Sequence, residues 1–392
     1  MDYGTATIRA WAVLGPQIIV AILTYYHYLN HPMTPNSLQP PAPSNTLITP
    51  TASRQLPADV AMLVADAQGF RARSWADNTR RGYRADWADF TAWCSAHGAV
   101  ALPADPRVVA LYLTALANGS RAPGGRWASR PKKVTTMRRR LSAIQHYHQQ
   151  AGHELDTRDR VLRETWRGIR RQMGTAPVGK SPLVTEYLQA LLRPIDATTL
   201  AGARDRALLL IDFAGCFRRS EVVSLDVADV AWGPDGLVIT LRRSKTDQEA
   251  AGGIRGIPYG AHPETCPVRA LDAWLKAAAI AEGPLFRPIT RYGSVLPQRL
   301  TPQSVALVIK RAVGAARAAA LEAGNTWLAQ TLDPRYYAGH SLRAGFITSA
   351  AAAGVSESDI MRQSGHARGD TLRKYIRHAT VFRQNAAAKV GL

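Results

Sequence analysis

Cysteine is scarce in this chain. Its 392 residues hold three, Cys94, Cys216 and Cys266, far apart and outside any CxxC pair. That scarcity excludes a disulfide framework and a structural zinc site, and it fits a reducing cytoplasm. The three read as small buried hydrophobes. Acidic residues are also few, 29 against 49 lysines and arginines, which gives a formal charge of +20. A surface so short of carboxylates attracts polyanions, nucleic acid first among them, with an anionic membrane as the other option. Also lacking is an uninterrupted apolar run of about 20 residues, the length of a membrane span. The nearest approach, residues 10–26, is broken by Pro16 and Gln17 and has no small-residue cleavage site behind it. It reads either as an anchor or as an upstream extension of a chain starting at Met33, and a membrane partner is not expected.

What is present suffices for a buried core, since hydrophobic residues make up 46% of the chain, and the length allows two or three domains. Residues 31–57 carry Pro32, Pro35, Pro40, Pro41, Pro43, Pro50 and Pro57 among serines and threonines, so 1–57 reads as a disordered leader with an apolar start. From 58 to 174 apolar residues recur at three- and four-residue spacing, as in YRADWADFTAWC and VVALYLTAL, which predicts an all-α domain. It has two basic segments. Residues 121–140 include Arg121, Arg126, Arg130, Lys132, Lys133, Arg138, Arg139 and Arg140 with no acid. In DRVLRETWRGIRRQM, Leu162, Trp166, Ile169 and Met173 form one stripe, and Arg160, Arg163, Arg167, Arg170 and Arg171 gather opposite. A solvated basic face on a core helix is the plain alternative. Two such segments with little acidic counterweight favour phosphate contact.

Residues 174–181, GTAPVGKS, match the P-loop pattern formally, but an arginine-faced helix precedes them where a P-loop requires a buried strand. They read as a linker, 175–181, from which Lys180 touches DNA. From 182 to 392 the pattern is mixed, predicting a mostly helical α+β domain with a small antiparallel sheet. ARDRALLLIDFAGCF is apolar on most faces and reads as a buried helix. GLVITLRR and IRGIPYG read as strands joined through SKTDQEAAGG, and the chain from about Val268 onward is mostly helical.

Five short signals follow in order. GCFRRSEVVSL places Arg218 and Glu221 one helical turn apart behind an apolar helix, where a buried arginine needs a partner or an anion. Lys245 stands at a strand-to-turn junction. GHSLRAGF puts His340 and Arg343 at i,i+3 on one helix face. SGHARGDTLRKYIR carries His366 and, nine residues on, Tyr375. That spacing would place the two on opposite sides of one helix; a turn and N-cap at Gly369, Asp370 and Thr371 would let both face one cleft. Each signal alone is weak. An Arg–Glu pair is a common surface feature, a lone histidine is more often a core residue, and a lone tyrosine is more often packing.

In this order and spacing the set resembles the tyrosine recombinase, or phage integrase, family. The motifs match over about 215–378, and the helical basic domain is similar, more loosely, to the family's core-binding domain. No catalytic position is missing, and the apolar start and proline-rich leader are the departures. The resemblance implies a site-specific DNA recombinase with a catalytic domain over 182–392 and a C-shaped clamp on duplex DNA. In it Tyr375 attacks phosphorus to give a 3′-phosphotyrosyl intermediate, Arg218 and Arg343 clamp the non-bridging oxygens, and Lys245 protonates the departing 5′-oxygen. His340 takes or shares the tyrosine proton, His366 donates a hydrogen bond to the phosphate, and Glu221 orients the arginine site. Cationic side chains do the work of a metal, so neither Mg²⁺ nor ATP is implied. The implied assembly is a homotetramer on two DNA duplexes, associated with the nucleoid. Val381, Phe382, Ala386 and Val390 recur at helical spacing after Tyr375, a stripe that packs on its own domain or is exchanged between protomers; the resemblance favours exchange. A type IB topoisomerase-like nicking-closing enzyme and a catalytically silent DNA-binding protein are the alternatives.

Overall fold

A computed structural model describes residues 75–121, 127–176, 179–242, 253–366 and 369–379, with 62–63, 66–67, 69–70 and 390 besides. The leader 1–57, Lys245, Arg126 and the stripe residues Val381, Phe382 and Ala386 lie outside these. The chain divides into two compact units between residues 177 and 178.

The first unit is built on helices α1 (Asp77–Ala96), α2 (Pro106–Asn118), α3 (Val134–Gln150) and α4 (Arg160–Met173). Local chemistry sets their ends. Asp105 and Asp159 sit at N-caps, accepting the backbone N–H of Arg107 and Leu162 and so satisfying donors a helix start leaves free. Trp87, Phe90, Leu113, Met137, Ile144 and Leu162 form the core. Of the stripe expected on α4, Leu162 and Ile169 are buried and Trp166 half-buried, while Met173 is exposed, because α4 has run past the core at its last residue. The basic run holds a short antiparallel hairpin, β1 (Ser120–Arg121) with β2 (Trp127–Ser129), that periodicity did not predict.

In the second unit, α5 (Thr185–Leu192) leads to α6 (Leu200–Ala214), buried without a break from Ala207 to Asp212 as its apolar sequence predicts. A single turn, α7 (Arg219–Val222), precedes the antiparallel sheet β3 (Val230–Gly233), β4 (Gly236–Leu241) and β5 (Gly253–Pro258), in that spatial order. The expected strands are β4 and β5, paired with Ile239 opposite Arg255; β3 was not read from the sequence. Then come α8 (Pro267–Ala277), α9 (Pro302–Glu322), α10 (Thr326–Thr331), α11 (Ser341–Ala352), α12 (Glu357–Ser364) and α13 (Gly369–Ala379). The main core joins α5, α6, the sheet, α8 and α9 through Leu191, Leu209, Ile239, Trp274 and Ile309. A smaller cluster of Cys216, Ile347, Ile360 and Leu372 joins α11, α12 and α13 to the end of α6. All three cysteines are free and buried. Among the described residues no helix is long and apolar enough to cross a membrane.

Candidate active site

The site begins where α6 ends. The chain passes Cys216 with φ of 49°, a left-handed conformation rare for a residue with a side chain, and Arg218 then caps α7. The Glu221 carboxylate accepts both the backbone N–H of Arg218, at 2.8 Å, and its Nη1, at 2.5 Å. Two charge-assisted bonds hold the guanidinium at the edge of the core, with the arginine side chain 14% exposed and the glutamate 4%.

The Cys216 turn also presents its carbonyl inward, and Arg343 Nη1 donates to it at 2.5 Å. Arg343 lies in the first turn of α11 and is only 1% exposed. Gly345 brings α11 this close: a Cβ there would fall 1.7 Å from the Leu183 carbonyl oxygen. Leu183 N–H in turn donates to Ser341 O at 2.9 Å. Burial pushes the Arg343 guanidinium below its ordinary value.

His366 enters from α12, which ends at Gly365 in a left-handed C-cap with φ of 64°. That cap turns the chain, so the imidazole stands against Arg343, whose Nη2 is 3.4 Å from both ring nitrogens. Ser364 Oγ lies 2.7 Å from His366 Nδ1. Partial burial, then Arg343, Arg218 and His340, lower the histidine to about 4, so the ring is neutral at neutral pH. The turn and N-cap expected at Gly369, Asp370 and Thr371 are not found there: α13 already includes these three residues, and the left-handed residue before it is Gly365, at the end of α12.

Tyr375 is half-buried on α13, packed with Ile376 against the small cluster that contains Cys216. The nucleophile candidate and the carbonyl anchoring Arg343 thus share one apolar support. His340 does not sit on the buried face with Arg343; it is exposed at the N-cap of α11 and reaches the site through its effect on His366. Lys245 lies outside the described residues, in the span 243–252 that joins β4 to β5.

Two charged residues of this cluster were not singled out from the sequence. Asp212 is fully buried, and neither carboxylate oxygen has a hydrogen-bond partner. Burial and then Glu221 raise it well above the carboxylate range, with Arg343 opposing. Arg255, on β5, is 8% exposed, and its Nε lacks a partner. The signals were present: a lone acid in LLLIDFAG, and an arginine in phase with Ile257 in GIRGIP.

The candidate DNA contacts lie on α4, along the basic run and at Lys180. On α4, Arg160, Arg163, Arg167, Arg170 and Arg171 are all exposed, and of these Arg160 pairs with Glu164 at 3.2 Å. Arg130, Lys133 and Arg138 are exposed and Lys132 half-buried. The counterweight that the run itself lacks comes from α1. Arg139 bonds Asp86 at 3.0 Å, and Arg140 is buried against Asp89 and the Tyr112 hydroxyl. Lys180 is exposed and donates to the Arg335 carbonyl at 2.6 Å.

The family model described as the phage integrase family matches residues 183–381. Among curated proteins, the integrase/recombinase XerD homologue of Selenomonas ruminantium is 39% identical over 317 residues, covering 80% of this chain and 85% of that protein. The recombinase Cre of Escherichia phage P1 is 22% identical, covering 80% of this chain and 86% of its own. Among solved structures, the post-cleavage complex of the XerH site-specific recombinase bound to a palindromic difH substrate superposes with a TM-score of 0.55 at 18% identity, covering 79% of each chain. The Tn1549 transposon integrase in complex with transposon right end DNA reaches 0.52 at 16% identity, covering 82% of this chain and 96% of that one. At these identities the two structures speak for the fold alone.

Proposed function

The chain belongs to the phage integrase family of tyrosine recombinases, and from that premise we propose that it cleaves and rejoins DNA strands at specific sites through a covalent link to Tyr375. The observation that supports this most is the convergence of Arg218, Arg343 and His366 beside the cluster on which Tyr375 packs. In this reading Tyr375 Oη attacks the scissile phosphorus, its proton passing to His340, while the bond from phosphorus to the 5′-oxygen breaks and Lys245 protonates the departing oxygen. Arg218 and Arg343 neutralise the non-bridging oxygens, a task suited to planar guanidinium groups fixed before the substrate arrives. Glu221 holds Arg218 in place. His366, neutral and with Ser364 on Nδ1, donates to the phosphate from Nε2, which Arg343 Nη2 approaches only to 3.4 Å. The phosphotyrosine keeps the bond energy, so a 5′-hydroxyl from a second strand reverses the step without ATP, and the cations take the place of a metal.

The first unit is then a DNA-binding domain that uses the α4 arginines and the basic run, the second is the catalytic domain, and exchange between two duplexes calls for four protomers. The test is to incubate the full chain with duplex DNA flanking its own gene, extract with phenol and map any protein-linked strand. A 3′-linked adduct at one sequence, formed in EDTA, supports the reading; no adduct, or one that requires a divalent ion, overturns it. Relaxation of a single supercoiled plasmid without exchange between two would favour the nicking-closing alternative.

A further inference from the structure

The period of β5 makes Arg255 anomalous. Along β4 and β5 the inward positions are Leu237, Ile239, Leu241, Arg255 and Ile257, so an arginine stands where the pattern calls for a hydrophobe. A guanidinium in such a place normally finds a carboxylate. Here Nη1 donates to the carbonyl of its own neighbour Ile254, at 2.9 Å, and Nε has no partner. No carboxylate among the described residues lies within ion-pair distance of it. Glu221 exerts the largest attraction on it, but that carboxylate is already bonded twice to Arg218. Burial therefore outweighs every compensation and pushes Arg255 below the ordinary arginine value.

Its free end is close to the site. A Cβ built on Gly365 would stand 2.2 Å from Arg255 Nη2, so the guanidinium occupies the space beside the turn that delivers His366. Gln363, two residues before that turn, bonds the Gly256 carbonyl at 3.0 Å and the Ala214 carbonyl at 2.8 Å, tying α12 both to β5 and to the end of α6. Arg255 also faces Cys216 and Arg218, and acts on Arg343.

Among the described residues the charges of this pocket do not balance. Arg218, Arg255 and Arg343 bring three positive charges, Glu221 brings one negative charge, and Asp212 is driven by burial towards its neutral acid. A positive excess shut away from water is stabilised by an anion, and a phosphodiester gains negative charge as it approaches the pentacoordinate state. We propose that Arg255 is a third arginine of the phosphate site, donating to a non-bridging oxygen of the scissile phosphate beside Arg218 and Arg343. This rests on the recombinase reading above.

The test compares wild type with Arg255→Met and Arg255→Lys, as full-length chains, on two forms of the mapped cleavage site. One carries the normal scissile phosphate. The other has a methylphosphonate there, in which a methyl group replaces one charged oxygen. An arginine that neutralises that oxygen becomes dispensable when the charge is gone, whereas one that only props the fold does not. Adduct formation by Arg255→Met should fall on the order of 100-fold on phosphate, the scale of losing one preorganised donor. On methylphosphonate its deficit relative to wild type should shrink to within about 5-fold, with binding to the site retained. Equal deficits on the two substrates would overturn the proposal and make Arg255 a packing residue. If Arg255→Met does not fold, the same ratio in Arg255→Lys, which keeps the charge but loses the fork, decides in the same way. Failure of wild type to form an adduct on the phosphate duplex would instead count against the recombinase reading itself.

Discussion

His366 gives the site a measurable pH signature. Its ring is partly buried and faces Arg343, Arg218 and His340, which together hold it at about 4 against an ordinary 6.5. Between those two values the unfolded chain carries the proton and the folded chain does not, so the unfolded state binds more protons. Stability must then rise with pH across the window from about 4 to 6.5, and fall as the solution is acidified through it. Each pH unit of that window is worth about 1.4 kcal/mol, giving a ceiling of roughly 3 kcal/mol; solvent screening at a ring that is not fully buried reduces this to about 1–2 kcal/mol. Urea denaturation of wild type and His366→Gln at intervals from pH 4 to 7 isolates the effect, because the glutamine variant lacks the titrating group. The wild type should lose about 1–2 kcal/mol more than the variant on going from pH 7 to pH 4. NMR titration of the ring should place it well below 6 in the free protein, and a bound phosphodiester, by adding negative charge, should move it up. Parallel stability profiles for the two proteins, or a free ring that titrates at 6 or higher, would refute this account of its surroundings.

Other expectations follow from the same packing. Gly345→Ala would put a methyl group 1.7 Å from the Leu183 carbonyl oxygen. It should destabilise the chain by about 3 kcal/mol in urea unfolding, and a change under about 0.5 kcal/mol would show that α11 moves freely there. Asp212 is raised by burial, so the folded chain holds its proton to higher pH than the unfolded chain and loses stability as pH climbs above about 4. Asp212→Asn should remove that decline and be the more stable protein at pH 8, by about 1–2 kcal/mol; coincident profiles would mean the carboxylate has a counter-charge. Neutralising Arg163, Arg167 and Arg170 together should weaken binding to all DNA sequences. The salt dependence should flatten by about 0.9 log unit for each phosphate that is no longer neutralised, and an unchanged slope would make that face an ordinary solvated one.

How much of this was legible in the sequence depended on whether the signal was local. The two faces of α4 and its Asp159 cap could be read from a single short segment, and the ordered motifs marked Arg218, Glu221, Arg343 and His366 before any fold was known. What periodicity could not give was the pairing of distant charges. Arg139 and Arg140 sit in a stretch without acids, yet Asp86 and Asp89, on α1, meet them in space. Asp212 and Arg255 looked like ordinary members of a buried helix and a strand, because a period identifies a face without identifying what packs on it. His340 and Arg343 are three residues apart but differ in burial, since one caps the helix and the other lies inside its first turn. The β1–β2 hairpin and β3 are too short for any alternation to register.

In the proposed reaction one tyrosine carries the covalent chemistry, and removing a single oxygen atom puts that to the test. Tyr375→Phe keeps the ring that packs beside Ile376 on the Cys216 cluster and deletes only the hydroxyl. The variant and wild type should be incubated with the same nicked duplex, in which cleavage releases a short end and traps the adduct, and the linked peptide identified by mass spectrometry. Wild-type protein should be linked to DNA through Tyr375, and Tyr375→Phe should give no adduct with near-normal DNA binding. An undiminished adduct in the variant, carried by Tyr336, Tyr337 or any other residue, would contradict it.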